Sequence, residues 1–131
     1  MASIFTKIIN GEIPSYKVAE SDKFYAFLDI FPIKRGHTLV VPKQEVDYIF
    51  DLDDDTYVEY FAFAKRVAAA IEKTISCQRI GLAVIGLEVP HAHIHLIPLD
   101  HFKDMNFANP KLKFSDEEFK ELAAAIASNF E

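Results

Sequence analysis

No other stretch of this chain restricts its fold as tightly as V-P-H-A-H-I-H-L-I-P, Val89 to Pro98. Three of the five histidines in the sequence alternate here with Ala92 and Ile94. Side chains switch faces along an extended strand, so His91, His93 and His95 fall on one side at about 6.7 Å intervals, with Ala92, Ile94 and Leu96 on the other. Pro90 and Pro98 stand at the ends, where a missing N–H donor harms a ladder least. The stretch reads as a strand with one face for a core and an imidazole face for something else. A ring of near-neutral pKa serves as base, acid, nucleophile or metal ligand. Spacing alone leaves three readings open. One is a polar face without chemistry, and another a metal site using histidines at i and i+2. The third is covalent catalysis, with one ring attacking phosphorus.

The remaining chain supplies the elements to hold such a strand. Ser3 can cap a short helix carrying Ile4, Phe5, Ile8 and Ile9, with Gly11 to end it. Tyr16–Ala19 and Phe24–Leu28 read as strands joined by a polar turn, and His37–Pro42 as another after the loop bracketed by Pro32 and Gly36. The acidic run Asp51–Asp55 suits a helix N-terminus, and the spacing of Tyr57, Phe61, Ala64, Ala68, Ile71 and Ile75 predicts a helix to about Cys77. A second stripe, Tyr60, Phe63, Val67 and Ala70, makes this helix apolar over an unusual width. It suggests burial against a second subunit, or under the chain's own C-terminal segment. Ile80–Ile85 is a short apolar run that reads as a buried strand. Residues 100–113 are an irregular connection, and Ser115 with Glu118 opens a last helix whose face is Phe119, Leu122, Ile126 and Phe130. The expected fold is α+β, an antiparallel sheet with helices on one side.

Half of the 131 residues are hydrophobic, which suits a single domain over 1–131. The net charge of −6 argues against nucleic acid or an anionic membrane as partner, so an anionic ligand has to be held by local groups. No apolar segment is long enough for a membrane span. The single cysteine, Cys77, excludes an internal disulfide. With an N-terminus that lacks a signal-peptide pattern, it points to a cytoplasmic protein.

Taken together, several segments resemble the histidine triad (HIT) nucleotide hydrolases and transferases. H-A-H-I-H-L-I fits that family's motif of three histidines alternating with apolar residues. I-F-T-K-I-I-N-G-E-I-P, A-F-L-D-I-F-P (26–32) and G-H-T-L-V-V-P-K (36–43) are similar to family segments in family order. The resemblance implies a five-stranded sheet with one long helix, a short N-terminal helix and a C-terminal helix. It also implies a homodimer whose sheets join, with the long helix at the interface. It implies a purine-nucleotide hydrolase cleaving at the α-phosphate of a phosphoramidate or dinucleoside polyphosphate. His93 would be the nucleophile, forming a nucleotidyl-histidine. His91 and His95 would bind phosphate or orient the site, and His37 would be the fourth histidine beside the triad. Such attack needs a neutral ring with one nitrogen free, its tautomer fixed by the other N–H bonding a backbone carbonyl. Asp29 would accept from the ribose hydroxyls. Ile4, Phe5, Ile8, Phe27, Leu28 and Ile30 would line the purine pocket. No cofactor is implied. A non-catalytic nucleotide-binding module is the alternative function.

The chain departs from that pattern in three places. Some bacterial members hold a structural zinc through two cysteines, a histidine and a triad histidine. Here Ser3, Thr6 and Glu45 stand at three of those positions, so no such zinc is expected. The loop before the triad is short and reads G-L-E-V-P-H. Glu88 there is a possible proton donor near the leaving group. After the triad, L-I-P-L-D carries neither family arginine signature, which leaves the substrate to the C-terminal segment.

Overall fold

The computed structural model describes residues 2–131, and Met1 lies outside the described residues. Ser3 caps α1 (Ile4–Ile9) by accepting from the Thr6 amide. Gly11 ends that helix with a φ of 80°, a conformation open to glycine without steric cost. β1 (Lys17–Glu20), β2 (Phe24–Leu28) and β3 (Thr38–Pro42) follow, then α2 (Asp54–Thr74), β4 (Arg79–Ala83), β5 (Ile94–Leu99) and α3 (Asp116–Ser128). α2 starts where the acidic run puts it. Asp53 accepts from the Thr56 amide, and Asp54 and Asp55 sit in the first turn, where the helix dipole favours negative charge. The capping box of Ser115 and Glu118 opens α3.

The strands form one antiparallel sheet in the order β1-β2-β3-β5-β4. This is the α+β architecture expected, with one difference in its layers. Phe24, Ala26 and Leu28 of β2 join Val40, Ile94, Leu96 and the buried residues of α2 and α3 in the main core. Tyr25 and Phe27 point the other way and form a smaller cluster with Leu39, Val41 and Phe5 and Ile8 of α1. The helices therefore do not share one side. α2 and α3 cover one face and α1 the other, because β2 and β3 are apolar on both faces, which a one-sided sheet is not.

Of the two readings of the second apolar stripe, burial under the chain's own C-terminal segment holds: Tyr60, Phe63, Val67 and Ala70 are buried against the sheet and α3. Two other expectations are revised. The run Ile80–Ile85 is not a buried strand, because β4 lies at the sheet edge and is exposed or half-buried along its length. The triad strand is also shorter than the span between its prolines. β5 starts at Ile94, paired with Val40, and His91 and His93 precede it. The ladder stops because Pro42, next but one to Val40, has no N–H to give. Its carbonyl is taken by the His91 ring at 2.7 Å, and the Ala92 amide turns to the Val46 carbonyl. No helix is long and apolar enough to cross a membrane among the described residues.

Candidate active site

Four histidines gather on the α1 side of the sheet. His95 comes from β5, His93 and His91 from the stretch leading into it, and His37 from the residue before β3. All four are buried, with relative exposures of 9%, 8%, 0% and 2%. The centroids of His93 and His95 are 4.9 Å apart, and those of His37 and His95 5.2 Å.

Their tautomers follow from the groups they meet, since an amide N–H only donates and a carbonyl only accepts. The Ile33 amide donates to His37 Nδ1 at 3.2 Å, so the His37 proton is on Nε2. That Nε2–H donates to His95 Nδ1 at 2.9 Å, which leaves the His95 proton on Nε2. His91 Nε2–H donates to the Pro42 carbonyl, so its Nδ1 accepts from the Ser3 hydroxyl at 2.7 Å. His93 is set the opposite way, because its Nδ1–H donates to the His91 carbonyl at 2.9 Å. Its Nε2 carries a bare lone pair. No buried side-chain nitrogen or oxygen among the described residues lacks a partner. The unpartnered Nε2 atoms of His93 and His95 are therefore reached by solvent. One open lone pair beside one open N–H is an arrangement suited to nucleophilic attack with a donor at hand.

Burial keeps the flanking rings neutral. It is the main cause lowering His37 to about 4, helped by the charge of Lys111, and His95 to about 3, helped by His37. Burial also lowers His91, against the pull of the Pro42 carbonyl and Glu45.

Asp29 joins the group, its Oδ2 lying 3.5 Å from His37 Nε2, while its other oxygen accepts from the Phe31 amide at 2.8 Å as a turn aspartate does. Asp29, His37 and His95 are the one set among the described residues able to offer three metal-ligating atoms, all within 4.8 Å of one another. An ion held there would have to displace the proton shared by His37 and His95.

The expected purine-pocket residues divide. Phe5 presents its edge to His93 at 5.0 Å and to His91 at 5.8 Å. Phe27 packs against Phe5 at 5.7 Å, with Ile8 in the same cluster. Ile4 and Ile30 are about half exposed, at 49% and 53%. Leu28 is not on this side at all. It is buried in the main core under α2 and α3, because the alternation of β2 that brings Phe27 to the histidines sends Leu28 away. Glu88 is exposed beside the 88% exposed Leu87.

Two further groups lie at the site, one not found from the sequence and one grouped there only by the family resemblance. The connection after β5 folds back so that the Phe107 ring lies 4.8 Å from His95 and 6.2 Å from His37. Lys111 Nζ reaches the Phe107 carbonyl at 3.1 Å. This segment is tied to the loop before His37 by the Leu112 amide donating to the Pro32 carbonyl at 2.8 Å. Lys34 adds a contact to Asp104 at 3.5 Å. The second group is Ser3, Thr6 and Glu45, at the positions that hold zinc in some family members, and their side chains come together around His91. The first group has no periodic or motif signal, since it depends on pairing between distant loops.

The HIT domain family model matches residues 10–102, a span that contains Asp29, His37 and the triad. An uncharacterized HIT-like protein of Borreliella burgdorferi is 39% identical over 96% of this chain and 96% of its own length. An adenosine 5'-monophosphoramidase of Schizosaccharomyces pombe is 35% identical over 98% of both chains. The crystal structure of a Hit-like protein involved in cell-cycle regulation from Bartonella henselae superposes with a TM-score of 0.84 at 30% identity. It covers 98% of this chain and 96% of that one. On the family match, the identities and the shared fold, the chain belongs to the histidine triad family.

Proposed function

We propose that this protein hydrolyses purine nucleotides at the α-phosphate through a covalent intermediate on His93. The observation that carries the reading is the hydrogen bond from His93 Nδ1–H to the His91 carbonyl, which leaves Nε2 unprotonated and open. In the first step Nε2 attacks phosphorus and the P–N or P–O bond to the leaving group breaks. The leaving group departs with the bonding pair and takes up a proton from solvent. In the second step water attacks phosphorus and breaks the P–N bond to His93, returning a proton to solvent, releasing the nucleotide and restoring the free ring. His95 Nε2–H is the neighbouring donor for a phosphate oxygen. Asp29 accepts from the ribose, and Phe5 with the half-exposed Ile4 and Ile30 offers apolar surface to the base. Lys111 is the cation whose charge is felt at His37 and His95, an attraction for phosphate in a chain of net charge −6. The S. pombe relative's name favours a nucleoside phosphoramidate as substrate.

Leu82, Ile85 and Leu87 are exposed along and beyond β4, one of the two edge strands of the sheet. A second copy pairing there would make one continuous sheet and hide an edge that is otherwise a liability.

The test is turnover of an AMP-based phosphoramidate and a dinucleoside polyphosphate by the wild type and His93→Ala. Cleavage by the wild type and a loss of at least about 10³-fold in the variant are expected. AMP binding without cleavage would instead identify a nucleotide-binding module.

A further inference from the structure

We propose that Glu45 is a positioning residue for the reaction at His93, acting through Ser3 and His91; the inference rests on the nucleophile assigned above. His91 is 0% exposed, so it touches no substrate where it stands. It acts by where its backbone carbonyl and ring are held, because that carbonyl receives the His93 proton. Its ring is clamped at both nitrogens, by the Pro42 carbonyl and by the Ser3 hydroxyl, each at 2.7 Å.

The Ser3 clamp depends on Glu45. Ser3 Oγ has one proton, and two groups compete to receive it or to replace it at His91. Thr6 Oγ1 lies 3.3 Å from Ser3 Oγ and 3.5 Å from His91 Nδ1. A free Thr6 hydroxyl would turn its own proton to either atom. One oxygen of Glu45 prevents this by accepting from the Thr6 hydroxyl at 2.6 Å and from the Ser3 amide at 2.7 Å. A carboxylate oxygen accepts and does not donate, so the direction of the chain is fixed. Glu45 takes the Thr6 proton, the Thr6 amide takes a Ser3 lone pair at 3.1 Å, and the Ser3 proton goes to His91 Nδ1 at 2.7 Å over the more distant Thr6 oxygen at 3.3 Å. The same contacts pin the first turn of α1, which carries Phe5 against both His91 and His93. The segment after β3 thus holds the ring of one histidine in place and, through that residue's carbonyl, positions the next.

The experiment compares wild type, Glu45→Ala, Glu45→Gln and Ser3→Ala by steady-state kinetics on an AMP phosphoramidate. Histidine ¹⁵N NMR is recorded on each, and melting curves establish that each is folded at the assay temperature. Glu45→Ala and Ser3→Ala are expected to lower kcat about tenfold with little change in KM, the scale seen for groups that orient a reactive side chain from behind. The His91 Nδ1 resonance should shift as its hydrogen bond from Ser3 is lost, while the Nε2–H form stays held by the Pro42 carbonyl. Glu45→Gln keeps an acceptor oxygen and should retain kcat within about twofold. A wild-type kcat with an unchanged His91 signature in Glu45→Ala would overturn the proposal, as would an equal loss in Glu45→Gln. If the wild type cleaves no nucleotide, the assignment of His93 has failed. The NMR comparison alone then decides whether Glu45 governs His91.

Discussion

Burial sets the charge of the two rings behind the nucleophile, and that has a measurable consequence. His37 and His95 are lowered to about 4 and about 3 by their burial, against an ordinary histidine value near 6.5. Below that value the unfolded chain takes up protons that the folded one refuses, so stability falls as pH falls. The loss runs from about 6.5 down to the folded values, with a slope of up to about 1.4 kcal/mol per pH unit for each ring. Melting temperature should therefore drop between pH 7 and pH 5, and His37→Asn should flatten that drop. A melting temperature independent of pH over this range would show that the rings are not neutral and buried together. The residue scale was half legible in the chain. H-A-H-I-H placed Ala92 and Ile94 in the core and the histidines opposite, because alternation is a property of extended backbone. The ring direction of His93 was expected from the chemistry of attack, but the partners that set it and the other rings were not legible. The directions are imposed by the carbonyls of His91 and Pro42 and the amide of Ile33, none of which has a side-chain signal.

At the scale of elements, β2 separates pocket from core. Phe27 and Leu28 are neighbours in an apolar run, and only the strand's register decides which of them faces the histidines. Leu28→Ala should cost about 2–5 kcal/mol of stability, as for a fully buried leucine, and leave KM unchanged. Phe27→Ala should raise KM as well as lower stability. Thermal denaturation beside substrate titration measures both, and a KM effect from Leu28→Ala would reverse the assignment. β2 could be outlined from its composition, yet both faces being apolar hid which residues the site would use. The connection between β5 and α3 shows the opposite difficulty. It is polar and aperiodic, so Phe107 and Lys111 could not be placed near His95 before the fold was known. Lys111→Met should raise KM several-fold for a substrate whose leaving group carries phosphate, by removing one local charge partly screened by solvent. Lys111→Arg should restore it, and the effect should shrink in high salt.

At the scale of the whole molecule, the sheet ends in two edge strands, β1 and β4. α3 packs on β1 and α2 on β4, and β4 carries exposed Leu82 with Ile85 and Leu87 beyond it. Sedimentation should show a dimer that Leu82→Lys weakens or splits, while a monomer at every concentration would leave that edge without its proposed partner. The second apolar stripe of α2, which first suggested a dimer, proved to be core, so the case for a second copy now rests on the strand edge. The chemistry ties all three scales together, and its stereochemistry reports on it whether or not an intermediate accumulates. Each in-line displacement at phosphorus inverts configuration, so attack by His93 followed by attack by water must return the original hand. With an AMP derivative made chiral at the α-phosphorus by sulfur, cleavage in isotopic water should give product with retained configuration. Inversion would mean that water attacks the substrate directly and that no bond to His93 is formed.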